Sequence, residues 1–330
     1  MSQHCQIKTT CPYCGVGCGV DATIDNDRII AVSGDRSHPA NLGKLCVKGS
    51  ALPQTMGDKG RLKHPIIEGQ QVDWPTAIKT VAHTLTQVRD QYGSDAIAFY
   101  LSGQLLTEDY YVANKFAKGF IGTGHVDTNS RLCMSSAVAG YKRAFGSDAV
   151  PCNYEDLEQC NLLVLTGSNA AWTHPVLYRR MAEAKNNNPD LKVVVIDPRR
   201  TASCDLADRH LAITPGSDHF IFTGLLNFLA SNAFIDQQYI ESHTEGFTET
   251  LANAEAATVD ETAAQAGLNK DQLITFYQWF AETDKVITFY SQGINQSATG
   301  TDKCNAIINC HLATGRLGKL GAGPFSITGQ

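Results

Sequence analysis

NLLVLTGSNAAWTHPVLYRRMAEAKNNNPDLKVVVIDPRR, residues 161–200, decides the fold. NLLVLTG (161–167) is an apolar run of strand length closed by a glycine, and KVVVID (192–197) repeats it. Between them a helix is expected through Tyr178 and Met181 to about Asn186. Continuous apolar runs, unlike alternating ones, belong to strands covered on both faces. Further on, HLAIT (210–214) is a weaker strand before the apolar helix FIFTGLLNFLA (220–230). KVITFYSQG (285–293) is another strand, followed by a helix across Ala306–Leu312. Strands alternating with helices predict an α/β fold whose last part is a doubly wound, Rossmann-like parallel sheet. The Ala-rich and polar stretch 232–265 is expected to form short surface helices without functional content.

Toward the N-terminus the pattern changes. A helix is expected from Asp73, with Pro75 in its first turn and Ile78, Val81, Ala82, Leu85 and Val88 at helical spacing. AIAFYL (96–101) is read as a buried strand and 107–120 as a helix opening at Thr107. Residues 11–50 are rich in Cys and Gly, and VDATI (20–24) and RIIAV (28–32) flank the turn residues Asp25, Asn26 and Asp27, a hairpin signal. The expected organisation is a small β-rich domain over 1–63, the first part of an interrupted α/β domain over 64–128, and the doubly wound domain over 129–330.

The net charge of −6 and the absence of a basic run give no sign of a nucleic-acid partner. No stretch approaches the roughly 20 apolar residues that cross a bilayer. MSQHCQIKTT has neither an apolar signal core nor a twin-arginine pair, so a cytoplasmic location is expected. In a reducing compartment eleven cysteines are metal ligands, reactive thiols or small buried residues, not a disulfide framework.

Four of them form a constellation: Cys11-x2-Cys14-x3-Cys18-x27-Cys46. Three thiolates within eight residues can surround a cubane from one loop, and the fourth closes it from a distance. Gly15, Gly17 and Gly19 let that backbone turn tightly and aim N–H groups at sulfide. The alternative is structural zinc, but zinc ribbons usually present two separated Cys-x2-Cys knuckles. A 4Fe–4S cluster fits this spacing better. Cys5, Cys152, Cys160, Cys204, Cys304 and Cys310 lack ligand spacing and are expected to be small buried residues.

A doubly wound sheet binds its nucleotide outside the carboxyl ends of its strands. GSN (167–169) leads there to Thr173, His174 and Pro175; DPRR (197–200), PGSD (215–218) and QGINQ (292–296) follow the other strands. Asp197 suits guanine N–H groups or a ribose, and the amides around Gly167 and Gly216 suit pyrophosphate. There is no G-x-G-x-x-G, so the nicotinamide fingerprint is missing. Any one such loop is ordinary turn chemistry, and a histidine before proline at a helix start is more often structural than catalytic.

CPYCGVGC followed by LCVKG resembles the N-terminus of the prokaryotic molybdopterin oxidoreductases, which carry molybdenum on bis(molybdopterin guanine dinucleotide). The resemblance implies that Cys11, Cys14, Cys18 and Cys46 hold the 4Fe–4S cluster and that Lys48 assists electron passage between cluster and pterin. It also implies that the strand-end loops hold one of the two guanine dinucleotides. The candidates are Gly167, Ser168, Asn169, His174, Asp197, Pro198, Arg199, Gly216, Ser217, Asp218, Gly293, Asn295 and Gln296.

In NSRLCMSSAVAG (129–140) Cys133 is expected at the start of a helix, which favours thiolate over thiol. Taken alone it is an ordinary buried thiol; the resemblance makes it the protein ligand to molybdenum. Formate dehydrogenases of the family carry His after this ligand and an Arg in a later segment. This chain has Met134 and SITGQ (326–330) instead, as nitrate reductases do. NYEDLEQCNLLVLTGSNAAWTHP, YSQGINQSATGTDK and NCHLATGRLGKLGAGPFSITGQ resemble the assimilatory, cytoplasmic type. The implied reaction is nitrate + two electrons + two protons → nitrite + water, within nitrate assimilation. No NADH or flavin motif lies in these residues, so they leave the electron donor undetermined, a ferredoxin, a flavodoxin and a separate NAD(P)H-dependent reductase being equal expectations. A formate dehydrogenase or other molybdenum enzyme, and an electron-transfer subunit that has lost molybdenum, stay open as alternatives. Family members are much longer, so the chain is expected to be an N-terminal portion without the C-terminal domain.

Overall fold

The computed structural model describes residues 5–26 and 28–328. Asp27, expected in the first turn, and Gly329 and Gln330 of SITGQ lie outside the described residues. The chain divides into two compact units, Met1–Arg131 and Leu132–Gln330.

In the first unit β1 (Cys5–Thr10), β2 (Gly19–Asp25) and β3 (Arg28–Gly34) form an antiparallel sheet in that order. The expected hairpin is β2–β3, with Asn26 at φ 48° in its turn. A two-stranded ribbon follows, β4 (Ile66–Ile67) against β5 (Gln70–Gln71). The helix Trp74–Tyr92 is capped by the Asp73 carboxylate, which accepts from the Thr76 amide at 2.9 Å. Ile78 and Val81 of its expected apolar stripe are exposed. AIAFYL is corrected: Ser94–Ala96 is a 3₁₀ turn, and only β6 (Phe99–Leu101) is a strand, with Tyr100 exposed. Its one neighbour among the described residues is the parallel β7 (Val126–Thr128), so it lacks the two-sided cover that a buried strand needs. The helix Thr107–Lys115 continues as a π-helix over Phe116–Ile121.

The second unit matches the predicted α/β architecture. Its strands are β8 (Leu162–Thr166), β9 (Lys192–Ile196), β10 (Arg209–Leu211), β11 (Val286–Tyr290) and β12 (Gly323–Ser326). All pair parallel, in the order β10-β9-β8-β11-β12. Successive side chains of a strand point to opposite faces, and both faces here are apolar. Leu162, Val164, Val194 and Ile196 join a core with the helices Ser135–Phe145, Asp218–Ser231, Lys270–Glu282 and Gly300–Ala313. Leu163, Leu165, Val193 and Val195 join a second core beneath the helix Pro175–Asn187. Stretch 232–265 does form short helices, Gln237–His243, Phe247–Ala254 and Val259–Ala266.

Of the six other cysteines, Cys160, Cys204, Cys304 and Cys310 are buried as expected and Cys152 is partly so. Cys5 is exposed, because it opens β1, whose six residues all face solvent.

Candidate functional site

The cysteine loop is shaped by its backbone. The Cys11 amide donates to the Cys18 carbonyl at 2.8 Å, closing the eight-residue arc, and the Gly17 amide donates to the Cys14 carbonyl at 3.2 Å. Gly17 sits at φ +63°, which a side chain disfavours. Cys46 precedes the short helical turn Val47–Ser50, and its carbonyl accepts from the Ser50 amide. Cys11 and Cys18 are buried, while Cys14 and Cys46 are partly exposed.

Burial pushes the Cys11 thiol up, and the neighbouring Cys14 and Cys46 add to this, whereas Lys48 pulls the other way. Burial, joined by Cys11, Cys14 and Cys46, pushes Cys18 up to about 12. Cys11 and Cys18 therefore feel the charge of the neighbouring cysteines, and Cys11 feels that of Lys48. Burial thus favours the protonated thiol at Cys11 and Cys18, and a cationic core would make them thiolates. Among the described residues no three His, Cys, Asp or Glu converge to hold a single metal ion. Tetrahedral zinc at a Zn–S distance of about 2.3 Å draws its thiolates to about 3.8 Å from each other. A four-iron cubane holds its thiolates further apart, so the donor set fits the cluster better than zinc.

Asn41 carries no functional signal in the sequence, yet it shapes this site. It is fully buried; its Oδ1 accepts from the Gly19 amide at 2.8 Å, and its Nδ2 donates to the Gly19 carbonyl at 3.0 Å and the Lys44 carbonyl at 2.8 Å. It thus ties the residue after Cys18 to a residue two before Cys46. A lone Asn between turns gives no pattern that would reveal this.

In the second unit the strand order reverses between β8 and β11, which is where an open α/β sheet forms its binding crevice. Gly167 and Gly293, one from each side, meet there: the Gly293 amide donates to the Gly167 carbonyl at 2.8 Å. A Cβ on Gly293 would lie 2.6 Å from the Gly167 Cα, so only glycine allows this approach. At the same strand ends the buried hydroxyls of Thr166 and Ser168 have no hydrogen-bond partner among the described residues. Buried polar atoms seek partners, and this fits a crevice that receives a polar ligand such as a nucleotide.

The other loop candidates divide. Pro198 and Arg199 are exposed beyond β9, and the Asp197 carboxylate accepts from the Arg199 amide at 2.9 Å, a local turn bond. The Asn169 Oδ1 accepts from the Ser203 hydroxyl at 3.1 Å. Gly216 is exposed, but the Ser217 hydroxyl donates to the Thr214 carbonyl at 2.7 Å. Asp218, another loop candidate, is buried, and its carboxylate pairs with Lys303 at 2.7 Å. Its charge is satisfied inside the fold.

Cys133 ends the short turn Ser130–Cys133, one residue before Met134, which caps the helix Ser135–Phe145. It therefore stands ahead of that helix, outside its first turn. The Gln296 amide donates to the Cys133 sulfur at 3.2 Å. Met134 is buried in the core, as helix packing alone would have it, and its sulfur lies 3.5 Å from Nδ2 of the buried Asn295. Tyr141, absent from the expected site, is two turns along the helix: its hydroxyl accepts from the Ser326 amide at 2.9 Å and so ties this helix to β12. The helical spacing of Ala137 and Tyr141 is the signal that could have found it.

His174 is buried, with Nδ1 2.8 Å from the Thr173 hydroxyl and its ring edge-on to Phe289. Burial pushes its pKa down to about 4, partly offset by the Thr328 backbone. A depressed histidine favours the folded state above its unfolded pKa of about 6.5 and loses that contribution as pH falls toward 4. The full drop is on the order of 3 kcal/mol. Urea titrations at pH 7 and pH 4.5 are expected to show a smaller loss of stability for His174→Gln than for the unsubstituted chain. Equal losses would place the ring in solvent.

The Molybdopterin oxidoreductase family model matches residues 61–328, and the model of the Molybdopterin oxidoreductase Fe4S4 domain matches residues 6–58. The chain is 55% identical over 325 residues to a nitrate reductase of Klebsiella oxytoca, covering 98% of this chain and 37% of that protein. It is 32% identical over 328 residues to an F420-dependent formate dehydrogenase subunit alpha of Methanocaldococcus jannaschii, covering 98% and 48%. The chain thus spans less than half the length of these relatives. Acetylene hydratase from Pelobacter acetylenicus has the same fold, with a TM-score of 0.72 at 19% identity, over 92% of this chain and 42% of that one. With both models matched in tandem, the chain belongs to the molybdopterin oxidoreductases, whose cofactors are a 4Fe–4S cluster and a molybdenum-bearing molybdopterin guanine dinucleotide.

Proposed function

We propose that this chain forms the cluster-binding and nucleotide-binding part of a nitrate reductase. Cys11, Cys14, Cys18 and Cys46 would hold the cluster, Cys133 the molybdenum, and the loops around Gly167 and Gly293 one guanine dinucleotide. Molybdenum supplies the oxygen-atom and two-electron exchange that turns nitrate into nitrite. Lys48, close enough to lower the Cys11 thiol, places positive charge where an electron passing the cluster is favoured. The observation that carries the substrate is the surroundings of Cys133. Its sulfur accepts from an uncharged amide, and the next residue is a buried thioether. Neither takes up a proton, which suits oxygen abstraction from nitrate and not removal of hydrogen from formate.

The assimilatory role goes with this reading, supported by the likeness of segments 153–175, 290–303 and 309–330 to assimilatory enzymes. Cytoplasmic location and a separate donor, whether ferredoxin, flavodoxin or reductase, belong to the same proposal. Among the described residues no helix is long and apolar enough to cross a membrane. The test is the full-length holoenzyme assayed with reduced viologen and nitrate, and with formate and oxidised viologen. Nitrate turnover at least about 100-fold faster is expected, a transition-state preference of roughly 2.7 kcal/mol. Faster formate oxidation overturns the reading.

A further inference from the structure

We infer that Gln296 tunes the molybdenum ligand through a hydrogen bond to the Cys133 sulfur, and that Asn295 is the positioning residue that holds it there. This rests on the reading of Cys133 as the ligand. Gln296 follows the short turn Gln292–Asn295 at the end of β11, and its amide nitrogen reaches the Cys133 sulfur at 3.2 Å. That turn is tied to the end of β8 at Gly293 and closed on itself by the backbone N–H of Gln296. The Gly293 amide binds the Gly167 carbonyl, and the Gln296 amide binds the Gln292 carbonyl, each at 2.8 Å.

Asn295 is 3% exposed and divides its side chain among three neighbours. Its Nδ2 lies 3.5 Å from the Met134 sulfur and 3.4 Å from the Ser326 hydroxyl, and its Oδ1 accepts from the Cys304 thiol at 3.4 Å. Residues 133–134 and 295–296 are thus clasped at two adjacent points, one on the sulfur and one beside it. Packing fixes the second point, and the second point aims the first.

An N–H directed at a thiolate withdraws electron density from it, so the sulfur donates less to its metal and the reduced metal is favoured. The amide carries no charge and does not titrate, so this bias is the same at every working pH. The resemblance implies a cofactor-binding role for Gln296, and the geometry directs its side-chain nitrogen at the sulfur.

The test uses the full-length holoenzyme, with molybdenum content measured first. Gln296→Leu is expected to shift the one-electron Mo(VI)/Mo(V) equilibrium about tenfold toward the oxidised metal, 59 mV more negative. The Mo(V) electron paramagnetic resonance signal should change with it. Asn295→Ala is expected to shift both in the same direction by less, and Gln296→Glu, which keeps the length but cannot donate, by at least as much as leucine. If the leucine variant loads no molybdenum, the glutamate variant decides. Unchanged potential and signal at normal molybdenum content overturn the inference. Cys133→Ser separates the two levels. An Mo(V) signal indifferent to that substitution sinks the ligand reading itself, whereas one that changes leaves the Gln296 variants to decide.

Discussion

Cys18→Ala is expected to strip the first unit of its iron and sulfide while leaving the second unit folded. The reason lies in where Cys18 sits. It is buried, and with three other cysteines beside it its thiol is pushed up to about 12. Such a group becomes a thiolate only against a strongly positive core, so the cluster and this ligand stabilise each other. Alanine removes one of four bonds and leaves an apolar gap where iron needs a donor, and water has poor access to replace it. Iron and sulfide analysis of anaerobically purified full-length protein should fall from four of each toward none, with the far-ultraviolet dichroism of the α/β unit kept. Iron at the unsubstituted level, or one stoichiometric zinc in its place, would refute the cluster assignment.

Lys303→Met is expected to destabilise the second unit strongly. The Lys303 ammonium and the Asp218 carboxylate are 2.7 Å apart with side chains 3% and 7% exposed. Removing one partner leaves the other charge buried alone, which costs about 3–5 kcal/mol. Removing both for apolar residues of similar volume is often close to neutral. Asp218→Leu with Lys303→Met is therefore expected to recover most of what the single change loses. Urea midpoints of the two variants make the comparison; a single-variant loss under about 1 kcal/mol would show that the pair is hydrated in solution.

The second unit is the more legible of the two. Strands β8, β9 and β11 are covered on both faces, so their sequences are unbroken apolar runs that announce themselves. Strand β12, reading GPFS, escapes a sequence reading because it contains Gly and Pro; it lies at the sheet edge, where Pro324 removes no needed ladder bond. Strand β1 escapes it because it buries nothing and exists through its pairing with β2. The helix Lys270–Glu282, absent from the expected elements, is readable in principle from Leu273, Phe276, Tyr277 and Phe280. In the site, the cysteine spacing speaks for itself because three of the ligands are close in sequence. Asp218 and Lys303 are 85 residues apart, Gln296 and Cys133 are 163 apart, and no local pattern links such pairs.

Asn41 gives the iron site a property of its own. Because three hydrogen bonds from one amide already hold Gly19 to Lys44, the jaw that would grip the cluster is set by organic chemistry alone. The connection between the third and fourth cysteines is thus held by the chain's own hydrogen bonds as well as by ligation.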